Sequence, residues 1–449
     1  MTLTATPLIQ YSKVQASAQQ SDLSAVAPHM FSLMLRNIAS EGFVFSDPLD
    51  SGKFSTPGCV IASPSYPSYP ANPSTIDQDY VYNWTRDAAI AAIELAFSLM
   101  PSPQPLIDYV NFANICQNSG ASIGYACFTI EGQPRMTPPW SEQSDGPALQ
   151  TLAILQAWSQ LDSPTQTTAL TVIAKNLVYL LSAYQNPTMN LWEEVNGGSS
   201  FFARAVQLRC FQAISSNTYG IPVPTATAGA ISWLQTALQS HWNGTYYVSI
   251  VPQSAALPGY DPNIDIVMAS IYGAISYTDT QLLATAAQLR SQWADSSSNS
   301  YYPINGTDQT QGLGPMMGRY PGDKYDGDTA TPVPGGHPWA LCTCNFAELY
   351  YRLANAIGSS KSVPFNNLSS PFFAQIGVTA STTWDKAVTA LQNAGDSMLN
   401  AVISHSDHLE LSEQFDGTSG YEKSVSDLTW SYAAFLSAVR AKTGAAVAG

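Results

Sequence analysis

The sequence predicts an all-α protein, and three observations carry the prediction. Apolar residues recur with the helical period over eleven separate stretches, alternating runs of the strand type are few, and the stretches are long enough to hold a core without a sheet. In chain order they cover 27–40, 87–100, 147–159, 164–183, 202–214, 226–241, 264–275, 280–293, 338–357, 383–404 and 427–442. Four of them also carry start signals. Asn83-Trp84-Thr85-Arg86-Asp87, Asp145-Gly146-Pro147, Gly336-His337-Pro338-Trp339 and Ser426-Asp427-Leu428-Thr429-Trp430 each place cap-type residues or an early proline where a helix begins. The other stretches rest on periodicity alone. In three of the four starts, Trp or Arg is mixed with the capping residues. If alternate helices run the same way around a ring, these starts converge at one end and line a funnel. No low-complexity linker divides the helices or follows Gly449, so residues 1–449 read as one domain, with 1–25 as an N-terminal extension.

The balance of charge narrows the partners. Lys and Arg number 17 against 32 Asp and Glu, a formal net charge of −15. Such a field repels phosphate backbones and anionic lipid surfaces, so neither nucleic acid nor membrane is expected as a partner. A neutral substrate fits better. The 10 Trp and 23 Tyr suit stacking on uncharged rings, and they suit an ordinary acidic extracellular enzyme equally well. Cys59, Cys116, Cys127, Cys210, Cys342 and Cys344 form no Cys-x-x-Cys pair and have no His at zinc spacing, so no metal site is expected. Cys116 and Cys127 are close enough in sequence to close a short loop. His405 and His408 lie one turn apart near acids, which reads as an exposed helix end rather than a metal face.

The longest apolar run, 88–100, contains Glu94 and is too short to span a bilayer. The N-terminal stretch carries Lys13 with no apolar run after it, so the chain as written has no signal peptide. The expectation is the mature form of a secreted protein, with an intracellular protein as the alternative. Asn83, Asn243, Asn305 and Asn367 each begin an Asn-x-Ser/Thr acceptor, which leans toward secretion.

Chemistry concentrates in Leu191-Trp192-Glu193-Glu194-Val195-Asn196-Gly197. Adjacent side chains point apart, so Glu193 and Glu194 are expected to meet different surroundings and to hold different proton affinities. A carboxyl against an indole is desolvated and becomes a proton donor. A solvated loop pair with Trp192 as a core plug is the plain alternative. A second carboxylate changes that balance: Glu413, in Leu411-Ser412-Glu413-Gln414-Phe415-Asp416-Gly417, lies in a loop before the last helix. Two glutamates from separate loops can flank one scissile bond, one as acid and one as base for water. Gly312-x-Gly314 follows no strand and contains Pro315 beyond it, so it is not a phosphate loop, and no cofactor is expected.

Taken together and in order, the motifs resemble the catalytic domain of the fungal-type glucoamylases, glycoside hydrolase family 15, over roughly Val60 to Val439. The residues are Val60-Ile61-Ala62-Ser63-Pro64-Ser65, Asp79-Tyr80-Val81-Tyr82-Asn83-Trp84-Thr85-Arg86-Asp87 and Asp145-Gly146-Pro147-Ala148-Leu149. They continue with the stretch 191–202, Gly318-Arg319-Tyr320-Pro321, Pro338-Trp339 with Leu341-Cys342-Thr343, Ser412-Glu413-Gln414, and Asp427-Leu428-Thr429-Trp430-Ser431-Tyr432. The resemblance implies an (α/α)6 barrel and release of single β-D-glucose units from the non-reducing ends of starch and maltodextrins, with inversion. It makes Glu193 the general acid and Glu413 the base, with a separation of about 6.5–9.5 Å that leaves room for water.

By matching positions, Arg86 and Asp87 hold the outer hydroxyls of the terminal glucose and Arg319 clamps the same ring. Tyr80 lies beside the developing oxocarbenium ion. Glu194 and the Leu191 carbonyl meet the next sugar, Trp192, Trp339 and Trp430 form walls, and Gln414 helps hold water and sugar. An acidic, bell-shaped pH profile is expected from a high acid and a low base. Two departures stand out. Pro139-Trp140-Ser141-Glu142-Gln143-Ser144-Asp145 is a residue shorter than the usual run and lacks its Arg, leaving Trp140 to cover the acid, and Gly322 stands where an acidic residue often follows. No starch-binding domain is seen, and a monomer is the default. The alternatives are an α-1,6 preference for isomaltose or dextran ends, and a catalytically silent glucan-binding protein.

Overall fold

The computed structural model describes residues 22–47, 50, 52–65, 79–98, 100–137, 139–329 and 331–444. The helices in chain order are α1 (Leu23–Leu35), α2 (Thr85–Phe97), α3 (Gln104–Gln117), α4 (Asp145–Ala157), α5 (Ser163–Ala183), α6 (Phe201–Ser215) and α7 (Thr227–Gln239). They continue with α8 (Asp265–Tyr272), α9 (Thr280–Ala294), α10 (Pro303–Thr310), α11 (Ala340–Ser360), α12 (Ser370–Ala374), α13 (Trp384–His405) and α14 (Thr429–Thr443). Helices α2, α4, α6, α8, α11 and α14 each touch the next, and α14 closes back on α2. Around this ring, α3, α5, α7, α9, α13 and α1 pack against α2, α4, α6, α8, α11 and α14 respectively. The protein is an (α/α)6 barrel.

The two layers carry different sequence patterns for a physical reason. Every residue of α8 is buried, and so is nearly all of α4, because an inner helix is surrounded on all sides. Such helices have no polar face. The outer α13 instead buries one stripe, Ala387, Leu391, Gly395, Met398 and Val402, widened near its C-terminal end by Leu399, Asn400 and Ala401, and turns its other side toward solvent. All eleven stretches expected from periodicity are helical over most of their length. Helices α3, α10 and α12 were not expected. In α3, Asn111 and Asn114 interrupt the sequence signal, yet Leu106, Tyr109, Val110, Ala113 and Cys116 still face inward.

Helix α1 runs earlier than its periodicity suggests, because Asp22 caps it by accepting from the Ser24 N–H. The proposed 1–25 extension therefore overlaps the first helix at Leu23, and residues 1–21 of it lie outside the described residues. After α1 the chain turns into short bridges, Ile38 to Val60 and Ser40 to Phe43, and Asn37 donates to Thr429 Oγ1 at 2.9 Å, tying it to α14.

Three two-stranded antiparallel pairs sit in the loops: β1 (Asn83–Trp84) with β2 (Cys127–Phe128), β3 (Ser199–Ser200) with β4 (Ile250–Val251), and β5 (Gln414–Phe415) with β6 (Glu422–Lys423). Strands β1 and β3 run directly into the inner helices α2 and α6, fixing the loops at the N-terminal end of the ring.

Some chemical expectations change. Cys116 and Cys127 are both free and buried, as are the other four cysteines, so the short loop is not closed. Asn83 and Asn305 are buried, with side-chain amides donating to Val60 O and to Trp293 O and Met316 O, so neither acceptor is open to a glycan. Only Asn243 and Asn367 are exposed. His405 pairs with buried Asp308 at 3.0 Å while His408 points to solvent, so the two do not converge. No described helix is long and apolar enough to cross a membrane.

Candidate active site

The loop that carries Glu193 and Glu194 owes its shape to one buried asparagine. Asn190 Oδ1 accepts from the N–H groups of Glu194 and Val195, both at 2.9 Å, and its own N–H donates to Val195 O at 2.8 Å. Wrapped in this way, Glu193 is held at φ +64°, a left-handed conformation that a residue with a Cβ adopts only when its surroundings impose it. The tight turn sends the neighbouring carboxylates in different directions. Glu193 Oε1 accepts from Arg86 Nη2 at 2.7 Å, and Glu194 accepts from Arg319 Nη2 at 3.0 Å and Tyr320 Oη at 2.7 Å.

Arg86 is the hub of the first wall. It stands in the first turn of α2, and its Nη1 donates to Gln143 Oε1 at 2.6 Å and to Asp145 Oδ2 at 3.1 Å. Asp145 itself opens α4, so two helix starts meet on one guanidinium. Burial raises the Glu193 pKa above the ordinary glutamate value, and the adjacent Arg86 charge only partly opposes it. Asp87 is pushed up to about 7, first by burial and then by the nearby Glu193 and Asp145 charges, against the pull of Arg86.

Arg319 is the hub of the opposite wall. Asp323 grips it through two bonds, Nε to Oδ2 at 2.8 Å and Nη2 to Oδ1 at 2.7 Å. The rings of Trp192, Tyr320, Tyr325 and Trp339 stand 5.0 to 5.3 Å from its Cζ. Trp192 is fixed by its indole N–H on Asn263 Oδ1 at 2.9 Å, and its ring meets Trp339 at 5.6 Å and Trp430 at 6.4 Å. Trp140 donates to Asp79 Oδ2 at 2.8 Å and sets its edge against Trp84.

Glu413 sits across the pocket, immediately before β5. Three hydroxyls point at its carboxylate: Tyr80 Oη to Oε1 at 2.7 Å, and Ser424 Oγ and Tyr325 Oη to Oε2 at 2.5 and 3.1 Å. They stabilise the ionised form, but burial outweighs them and the pKa is raised. The low base expected from the sequence is therefore corrected: removal from water acts on both glutamates, and three neutral donors do not fully offset it.

These side chains enclose a pocket of about 320 Å³ at the N-terminal end of the inner ring. Tyr80, Arg86, Asp87, Trp140, Leu191, Trp192, Glu193, Glu194, Arg319, Trp339, Glu413 and Trp430 line it, together with Ala62, Trp84 and Tyr325. Gln414 does not. Its side chain turns away from the pocket, accepting from Gly327 N at 3.1 Å and donating to Tyr325 O, because the strand alternation that points Glu413 inward points Gln414 to the other face.

The model of the family Glycosyl hydrolases family 15 matches residues 31–440, which span nearly all of the barrel and every residue of the pocket. The chain belongs to this family. It is 29% identical to Glucoamylase-1 of Schizophyllum commune over 98% of this chain and 77% of that one. Against the probable glucoamylase of Schizosaccharomyces pombe the identity is 27%, covering 90% and 88%. The intracellular sporulation-specific glucoamylase of Saccharomyces cerevisiae is 29% identical, covering 85% and 78%. The solved glucoamylase of Saccharomycopsis fibuligera superimposes with a TM-score of 0.77 at 23% identity, covering 95% of this chain and 96% of that one, which establishes the shared fold.

Within this family-15 chain, sequence reasoning missed Tyr325, Ser424, Asn190 and Asp323. Tyr325 and Asp323 follow the Gly318-Arg319-Tyr320-Pro321 motif closely, so that motif's downstream neighbours were the available signal. Nothing local marks Ser424, which reaches Glu413 only because β5 and β6 pair. Gly322 has a structural reason of its own. Its N–H donates to Gly259 O at 2.8 Å, and a Cβ there would stand 2.9 Å from the Gly259 Cα while overlapping the Pro258 carbonyl. An acidic side chain has no room in that position. Gly322→Ala is expected to cost about 1–3 kcal/mol of stability, measured as a lower urea midpoint at unchanged slope.

Proposed function

We propose that the chain is an exo-acting glucan 1,4-α-glucosidase that releases β-D-glucose from the non-reducing ends of starch, maltodextrins and maltose by inverting hydrolysis. Glu193 donates the proton to the departing glycosidic oxygen and Glu413 removes a proton from the attacking water. The observation that carries this reading is that two glutamates on separate loops, Glu193 and Glu413, line one pocket, with Glu413 held by three hydroxyls. Tyr325 and Tyr80 fix the base, while Arg86, Asp87 and Arg319 offer buried polar groups that only a correctly placed set of sugar hydroxyls would satisfy. Glu194 and the Leu191 carbonyl meet the second sugar, and the indoles of Trp140, Trp192, Trp339 and Trp430 supply ring faces. The relatives named glucoamylases support the choice of α-glucan over other neutral polymers. Both carboxyls come from one chain, so a monomer suffices. Export is the proposed location, resting now on Asn243 and Asn367 alone.

The test is proton NMR of maltoheptaose just after the protein is added, before mutarotation mixes the anomers. β-Glucose appearing first, with chains shortened by one unit, is the expected result. α-Glucose first would require a nucleophilic carboxylate and overturn the mechanism, and release of maltose or longer products would overturn the exo reading.

A further inference from the structure

The loop between Arg319 and Trp339 does more than grip the arginine: its middle packs directly behind the base. Gly327 N–H donates to Gln414 Oε1, and a Cβ on Gly327 would overlap the Ser424 side chain and stand 3.1 Å from Glu413 Oε2. On either side of this glycine, Asp326 and Asp328 reach Lys423 on β6. Lys423 Nζ lies 3.1 Å from Asp328 Oδ2 and 3.4 Å from Asp326 Oδ1, and Asp328 Oδ1 accepts from Ser424 N–H at 2.7 Å. Strand register sets Lys423 opposite Gln414, one residue past the base. Ser424 then takes φ +65°, left-handed, and its hydroxyl meets Glu413 Oε2 at 2.5 Å.

We propose that Asp328 and Lys423 are positioning residues: their ion pair clamps the Ser424 backbone so that its hydroxyl stays on the Glu413 carboxylate and keeps that base ionised in the working pH range. The proposal rests on Glu413 being the base. Neither residue lines the pocket. The strained serine is the reason a clamp is needed: a non-glycine residue in the left-handed region relaxes when its anchors are removed. Asp328 Oδ1 is one anchor, and Lys423 holds Asp328 in place.

The other groups facing the base do not substitute for the clamp. Tyr80 and Tyr325 hydroxyls and the more distant Arg319 charge favour its ionised form independently, and the Cys342 thiol nearby is kept neutral by burial. Around the clamp itself, His337 lies 3.9 Å from Asp326, with Asp323 and Asp416 beyond, and burial holds its imidazole pKa below the ordinary value. Its contact is with Asp326, so Lys423 is the cation that meets Asp328 directly.

The experiment is the pH dependence of kcat/KM on maltose for Ser424→Ala, Asp328→Ala, Lys423→Met and Lys423→Arg, with thermal melting as the folding control. Loss of the serine hydroxyl moves the acid limb to higher pH, by about half a unit or more. Asp328→Ala and Lys423→Met are expected to move it the same way, with KM within about twofold of the parent. Lys423→Arg keeps the parent limb. The Asp328→Ala/Lys423→Met double variant shifts no further than Asp328→Ala alone, since one anchor is being removed twice. A shift in Ser424→Ala with none in Asp328→Ala and Lys423→Met overturns the clamp and leaves the base assignment standing. An arginine variant that shifts as far as the methionine variant also overturns it. No shift in Ser424→Ala, with an active Glu413→Gln enzyme, would instead remove the base itself. Should Asp328→Ala fail to fold, the two Lys423 variants decide, because that side chain is partly exposed and tolerates replacement.

Discussion

Glu413→Gln is expected to lower kcat on maltose by roughly two to four orders of magnitude, the range a positioned general base contributes, while KM changes little. The amide keeps the shape of the carboxyl: its oxygen can still accept from the Tyr80 hydroxyl, while its NH2 can donate to the hydroxyl oxygens of Tyr325 and Ser424, so the fold and the sugar contacts survive. What it loses is the capacity to take a proton from water. The pH profile gives a sharper check than the rate. The base works when ionised, so activity in the parent enzyme rises with pH through the Glu413 pKa, and because burial raises that pKa the limb lies above the ordinary glutamate range. In the glutamine variant that limb should vanish and the alkaline limb remain. Near-parent turnover would place the base elsewhere.

Glu193→Gln should cost a comparable factor on maltose, for the opposite reason. The acid works when protonated, so activity falls as pH rises through the Glu193 pKa, which burial also raises. A substrate whose leaving group departs without a proton escapes this requirement. Hydrolysis of α-glucosyl fluoride by Glu193→Gln is therefore expected within about tenfold of the parent, whereas Glu413→Gln stays impaired on both substrates. Equal losses on maltose and on the fluoride would show that Glu193 matters for binding or structure rather than for protonation. The two substitutions together assign each carboxyl by what it fails to do.

Much of this protein was legible before its structure. The outer helices announce themselves by stripes such as Leu391, Met398 and Val402, because half of each faces water. Inner helices such as α4 and α8 are apolar nearly throughout; a start signal at Asp145-Gly146-Pro147 marked α4, whereas α8 rested on the spacing of its apolar residues alone. The pocket residues inside short motifs were also readable: some motifs are helix starts, as at Arg86 and Asp87, and others are loops at the same end of the ring, as at Glu193, Arg319 and Glu413. Contacts that cross between motifs were not. Asp145 was visible as a cap, but its bond to Arg86 needs α2 and α4 side by side. Ser424 reaches Glu413 through a hairpin whose strands are two residues long, too short to leave a periodic trace. Gln414 was misplaced because a motif gives adjacency without face; one step along β5 reverses which side of the strand a residue occupies. The high proton affinity of Glu413 was missed because sequence shows its donors or its neighbours but not the water it has lost.

Among the described residues, side chains fill the interior of the ring beneath the pocket, so the pocket opens at the N-terminal end of the ring. Glucose cut from a chain end lies deeper than the chain it came from, so under the proposed function it cannot leave until the shortened polymer withdraws. Every turnover must then end in full release, and the enzyme cannot slide along its substrate. Progress would be distributive, with all chains in a mixture shrinking together, and the glucose that accumulates would compete for the same doorway.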